Sequence, residues 1–239
     1  MFKRLLYIFI FLCVSIISFS QDPTFSQFYA NSLYLAPSFA GATEEARLSF
    51  NYRNQWPLIS NIYNTYSISY DQAFDKINSG MGILVTHDIA GSGNLSTTNI
   101  GFLYSYDIKI NNQWHVRPGV HFKYRYLGLD INKLIFGSQV PGNTPTPYPP
   151  VFEPVGDIDF ASSAVAFDDN IWIGFSADHL FTPTQSFYTT DSHLPIKYNL
   201  FGGFQIIPKT RLIQRYYDNI AVAFNFQKQG EFYQSDIGL

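Results

Sequence analysis

The stretch Thr97 to Tyr126 restricts the fold more than any other part of the chain. Ile100, Phe102, Tyr104, Tyr106, Ile108 and Ile110 fall on one face, against Asn99, Gly101, Ser105, Asp107 and Lys109 on the other, with Leu103 the one intruder. After Asn111-Asn112 the pattern resumes. Trp114, Val116, Pro118, Val120, Phe122, Tyr124 and Tyr126 alternate with His115, Arg117, Gly119, His121, Lys123 and Arg125. A period of two is the mark of a strand, because successive side chains point to opposite faces. The Asn pair between the runs predicts a tight hairpin turn, since Asn tolerates the positive φ that two-residue turns require.

Soluble strands average about 5–6 residues, and each run here has about 13 or 14. At about 3.3 Å per residue and a tilt of about 40°, such a run rises about 33 Å, the reach of a bilayer core. One face is rich in Tyr, Phe and Trp and the other holds several cations. Strands of a transmembrane barrel are apolar toward lipid and polar toward the lumen, with aromatic girdles at the interfaces. The hairpin therefore predicts an all-β, transmembrane antiparallel barrel. Its lipid-facing residues are Tyr104, Tyr106, Val120, Phe122 and Tyr124, and its lumen-facing row is Arg47, Arg53, Asp71, Asp107, Arg117, His121, Lys123 and Arg125.

Composition agrees. Charged residues make up 14% and aromatics 18%, the opposite of a disordered or nucleic-acid-binding chain. Past residue 20, no run of 18 or more apolar residues predicts a membrane helix. Residues 1–20 read as a secretory signal peptide: Lys3 and Arg4 lead an apolar run from Leu5 to Ile17, and Ser18-Phe19-Ser20 offers small residues for cleavage before Gln21. Cys13 follows Leu12 rather than a small residue, which disfavours a lipoprotein site. Cleavage removes the single cysteine and two cations, so the net charge moves from −3 to −5 and no disulfide framework remains.

Residues 21–45 do not alternate. Phe25, Phe28, Tyr29, Tyr34 and Phe39 are dense aromatic anchors among small polar residues, and predict a short helix or a plug inside the barrel. The barrel itself is assigned to residues 46–239. Its strands are placed at 46–56, 61–72, 80–87, 97–110, 114–126, 158–167, 171–178, 196–207, 220–227 and 231–239, about ten in all. Six prolines between Leu127 and Asp157 make that stretch a long loop.

The order QDPTFSQFYANSLYLAPSFAG, then NYRNQWP, then YNTYSISYDQ and a glycine-rich third strand, resembles the PorP/SprF family. Those proteins are outer-membrane barrels associated with the type IX secretion system and gliding motility of Bacteroidota. The motif match runs from Gln21 to about Tyr126, and strand rhythm carries it further. The resemblance implies a non-enzymatic role in exporting or retaining large secreted proteins, such as adhesins, at the cell surface. It also implies a somewhat longer chain with more strands. Because this one stops at Gly238-Leu239 rather than on an aromatic-closed strand, the barrel is expected to be C-terminally incomplete.

Short periplasmic turns and long external loops suggest an orientation. With a periplasmic N-terminus, the turns near 75–79, 111–112 and 168–170 fall inside, and the loops 87–95, 127–157 and 179–195 fall outside. The connections 208–219 and 227–230 break that rule.

The search for chemistry excludes more than it finds. His115 and His121 share a strand face but lie about 20 Å apart, too far to share a metal. None of the five histidines has ligand partners at useful spacing, so no metal site is expected. Asp157-Ile158-Asp159 and Asp168-Asp169-Asn170 lack an EF-hand pattern and read as solvated turns. No G-x-S-x-G, HExxH or phosphate-loop context occurs, so neither a catalytic residue nor a cofactor site is assigned. The cations of the polar row have two readings: an electropositive lumen guiding an anionic chain, or an internal ion-pair network with Asp71, Asp107 and other inward carboxylates. The second is favoured, since charges removed from water are usually paired.

The expected partners are outer-membrane lipid, a large secreted protein and the secretion machinery, with no nucleic acid and no small-molecule substrate. A passive diffusion porin and a secreted soluble β-sandwich adhesin are the rival functions. The N-terminal segment disfavours the first, and strand length the second.

Overall fold

A computed structural model describes residues 22–43, 45–58, 63–91, 93–130, 133–134, 153–187, 192–206 and 220–239. The expected signal peptide, the proline-rich core of the 127–157 loop and the 208–219 connection lie outside the described residues. Eleven strands form one antiparallel sheet. They are β1 (Arg47–Asn54), β2 (Tyr63–Phe74), β3 (Ser79–Ala90), β4 (Leu95–Tyr106), β5 (Ile108–Lys109), β6 (His115–Gly128), β7 (Val155–Phe167), β8 (Ile171–Asp178), β9 (Lys197–Ile206), β10 (Ile220–Gln229) and β11 (Phe232–Gly238). Each pairs with its neighbour in sequence, β5 being a short continuation of β4 along β6. Among the described residues β1 and β11 do not pair, so the sheet is not closed. No described helix is long and apolar enough to cross a membrane.

Alternation sorts the side chains, and the register aligns them across strands. Phe50, Ile68, Val85, Ile100, Tyr124 and Ile158 are successive cross-strand partners from β1 to β7, a continuous apolar row on the outer face. Five of these six side chains are at least 48% exposed, too much contiguous apolar surface for water to face without cost. One register row over, Ser69, Leu84, Gly101, Lys123 and Asp159 are partners on the opposite face, where all five are buried. The sheet thus turns its large apolar side chains out and its polar ones in, the inverse of a soluble protein and the pattern of a membrane barrel.

Several local expectations are corrected. The loop placed at 87–95 shrinks to residues 91–94, because His87 to Ala90 continue pairing with Leu95 to Thr98. The Asn111-Asn112 turn is wider than two residues. Asn111 Oδ1 accepts the N–H groups of Gln113 at 2.8 Å and Trp114 at 2.7 Å, so the side chain itself closes the turn. The long strand before it breaks at Asp107, whose N–H leaves the ladder to donate to the Asn78 carbonyl at 2.7 Å. Asp159 is no turn residue: it lies inside β7 and is fully buried. The Asp168 turn uses the Asn111 device, Asp168 Oδ1 accepting the N–H groups of Asn170 and Ile171.

Residues 22–43 form two 3₁₀ turns, Phe28–Ala30 and Pro37–Phe39, around a single helical turn at Ser32–Leu35. Such short pieces do not hold themselves together in water, so packing on the sheet must hold them.

Candidate functional site

The N-terminal segment lies against the inner face of the sheet, and its contacts run from β2 round to β11. Asn31 Nδ2 donates to Ser67 Oγ on β2 at 3.0 Å, and Ser105 Oγ on β4 donates to the Ala40 carbonyl at 2.7 Å. The Ser38 N–H donates to Ser163 Oγ on β7 at 2.8 Å, and Ser176 Oγ on β8 donates to the Leu35 carbonyl at 3.1 Å. A Cβ added at Gly238 on β11 would stand 2.7 Å from the Tyr29 ring. The serines of the inner face are therefore partners for a segment with unpaired backbone groups of its own.

Apolar contacts complete the seat. Leu33 and Ala40 pack with Leu84 and Leu103, and Ala36 packs with Val165 and Phe201. Leu103, an apolar residue on its strand's polar face, is fully buried in this contact. Two glycines bring the backbones together: a Cβ at Gly80 would lie 2.0 Å from the Ala40 carbonyl oxygen, and one at Gly119 2.3 Å from the Ser38 nitrogen. Of the five aromatic anchors, Phe25 and Phe28 are buried, Tyr34 and Phe39 are partly buried, and Tyr29 is 45% exposed.

Beside the segment lies a charge network. Asp22 faces His179 Nε2 at 2.6 Å and Lys197 Nζ at 2.8 Å. His179 Nδ1 faces Asp159, and Lys123 bonds Asp178 while standing 3.3 Å from Asp159. Three carboxylates thus meet two lysines and a histidine whose two ring nitrogens both point at carboxylates, which requires the doubly protonated ring. Burial disfavours the His179 charge, but Asp178 and Asp22 and the hydrogen bond to Asp159 raise its pKa above the usual value. Burial alone would raise Asp22, yet the His179 and Lys197 charges hold it well below the carboxylate range. Tyr34 caps the group: its ring lies 4.9 Å from Lys197 Nζ, its hydroxyl donates to the Pro23 carbonyl at 2.7 Å, and burial raises its pKa.

The predicted polar row divides into three. Arg47 forks onto buried Asp71 (2.9 and 3.1 Å), which also accepts the Gly41 N–H at 2.8 Å. Arg117 Nη2 bonds Asp107 at 2.6 Å, with His115 on its other oxygen at 2.8 Å. His121, Lys123 and Arg125 are buried on β6, and Arg53 is partly buried on β1. Sequence reasoning missed Asp22, Asp159, Asp178, His179 and Lys197. Asp178 and His179 are adjacent in the sequence, and nothing local ties either to Asp22, more than 150 positions earlier. The candidate lipid-facing Phe122, Tyr124 and Tyr106 are exposed, while Val120 and Tyr104 are partly covered.

Asp22, Asp178 and His179 hold donor atoms within 4.8 Å of one another, close enough for a metal ion. The donor set does not suit one: the same groups already bind Lys123 and Lys197, so a cation would meet two ammonium groups. A cavity of about 400 Å³ opens beside the network, between the ends of β3, β4, β6 and β8.

No curated protein and no solved structure matches the chain. The family model described as "Type IX secretion system membrane protein PorP/SprF" matches residues 17–239. With nearly the whole chain covered, this protein belongs to the PorP/SprF family of type IX secretion system membrane proteins.

Proposed function

We propose that this protein is a non-enzymatic outer-membrane barrel that supports the export or surface anchoring of large secreted proteins, such as adhesins. The observation that carries the reading is the seating of residues 22–41 on the inner face, by hydrogen bonds to β2, β4, β7 and β8 and two apolar clusters. A diffusion porin needs that space filled with water. A scaffold for protein contacts needs it rigid, and a filled lumen stiffens a small barrel. In this reading residues 21–45 act as a plug with a periplasmic N-terminus, and the loops 127–157 and 179–195 meet a secreted partner or the secretion machinery outside.

Tagged protein purified from the native membrane after crosslinking tests the reading. A large secreted protein is expected to co-purify with the full chain and to be lost when residues 22–42 or the proline-rich loop are deleted, while heat-modifiable gel migration persists. Porin-like conductance of the intact protein in planar bilayers, without such co-purification, would overturn it.

A further inference from the structure

Arg125 differs from Arg47 and Arg117, each of which bonds a carboxylate. It is 5% exposed and lines the 400 Å³ cavity, yet its Nε and Nη1 have no hydrogen-bond acceptor. Its cross-strand partner on β7 is Asp157, whose oxygens instead accept the N–H groups of Ile158 (2.9 Å) and Thr184 (2.9 Å). The neighbouring carboxylates are also committed: Asp22, Asp159 and Asp178 serve Lys123, Lys197 and His179, and Asp88 accepts the Thr65 hydroxyl at 2.6 Å. Two buried guanidinium nitrogens without an acceptor cost several kcal/mol, and an arriving oxyanion relieves that cost. On the next strand, Asn99 is the direct partner of Arg125 and lines the same cavity. Its Nδ2 donates to Thr86 Oγ1 at 3.1 Å, and its Oδ1 is buried with no donor.

We propose that this cavity binds an acidic residue of an extended peptide, its carboxylate on Arg125 and a backbone N–H on Asn99 Oδ1. Two unpaired guanidinium nitrogens and one free acceptor, on directly paired strands, ask for a ligand that carries both a carboxylate and a donor. A phosphate brings up to two charges into a wall that already holds Asp22, Asp88 and Asp178. A carboxylate brings one, and a hydrogen bond from a guanidinium to it is charge-assisted. Leu95, Leu127 and Phe187 supply apolar wall for the residue beside it. The site takes its peptide in solution, whatever protein that peptide belongs to, so it stands apart from the secretion role.

Full-length protein in detergent micelles is titrated by calorimetry with a capped five-residue peptide bearing one central aspartate, with its asparagine counterpart, and with inorganic phosphate. The aspartate peptide is expected to bind at least tenfold tighter than the asparagine one. Arg125→Gln should erase that difference, and Arg125→Lys, which keeps the charge but not the guanidinium N–H groups, should leave part of it. Thr97→Phe, which fills the cavity without touching a charge, should block binding too and covers the case in which Arg125→Gln does not fold. Equal binding of the two peptides, no binding at millimolar peptide, or full binding by both Arg125→Gln and Thr97→Phe would each overturn the proposal. So would phosphate competing as well as the peptide does, which would make the site a phosphate site.

Discussion

His179 Nε2 lies 2.6 Å from Asp22 Oδ2, a bond that ties the first described residue of the chain to the end of β8 across 157 positions. Because the contact needs both an ionised Asp22 and a protonated His179, it makes docking of the N-terminal segment depend on pH.

The His179 pKa is raised in the folded protein, so its contribution is full below about 6.5 and is lost as pH rises through the raised value. Asp22 is depressed, so its contribution is full above about 4 and fades only in strong acid. Asp159, Asp178, Lys123 and Lys197 also face the pair, and their charges belong to the same network. Hydrogen exchange over residues 22–35, normalised to the chemical exchange rate at each pH, should therefore show protection that declines on the alkaline side. In His179→Gln that decline should vanish, with protection lower at every pH. An identical alkaline profile in the variant would exclude His179 as the titrating group.

Gly119 sets how closely the segment approaches β6. A Cβ there would meet Pro37 and Ser38 backbone at 2.3 to 2.5 Å, atoms that cannot swing aside. Gly119→Ala should cost about 1–3 kcal/mol by overpacking and raise exchange at residues 36–41, leaving the β6 ladder protected. Gly91→Ala is the contrast for space, since nothing lies within 4 Å of its Cβ, although its φ of +73° adds a local strain of about 1 kcal/mol. Its effect should stay in the β3–β4 turn.

Asp71 is fully buried and accepts from both Arg47 nitrogens and from the Gly41 N–H. Asp71→Ala strands a guanidinium and a backbone donor together, a loss of about 3–5 kcal/mol. Urea unfolding in micelles followed by gel mobility should register it. Replacing Arg47 and Asp71 together by Met and Leu should recover most of the loss, because no charge is then left without a partner.

What the sequence disclosed and what it hid divide by distance along the chain. Period-two alternation is local, so the strands were readable to within a few residues at their ends, and the all-β membrane fold with them. Leu103 looked like an exception to its strand's pattern, and it is one for a reason the strand alone does not contain: it is the floor under Leu33 and Ala40. Arg47 with Asp71 and Arg117 with Asp107 were named as charges on one face, and the sheet register brings each pair together. The Asp22, Asp159, Asp178 and His179 group was not legible. Its members come from the N-terminal segment, β7 and the end of β8, and only the curving of the sheet around that segment makes them neighbours. The turn at Asn111 was placed correctly and sized wrongly, because a side chain closing its own turn widens it without changing composition.

The opening hairpin supplies the test of the membrane itself. Val120 pairs with Tyr104 on one side and Ser162 on the other, and sits on the face that carries Phe102, Phe122 and Tyr124. A lysine there points its charge where the outer band meets lipid, whereas Lys123, three residues on, finds Asp159 and Asp178 on the inner face. If Val120 lies near the bilayer midplane, Val120→Lys costs about 2–4 kcal/mol; near either interface the cost falls to about 0–1. Asp169→Lys, in the exposed turn between β7 and β8, should change stability by no more than about 0.5 kcal/mol. Reversible unfolding from lipid vesicles measures both. Equal, small effects at the two positions would mean that the aromatic face near Val120 is not buried in hydrocarbon, and would move the membrane-spanning band toward the other end of β6.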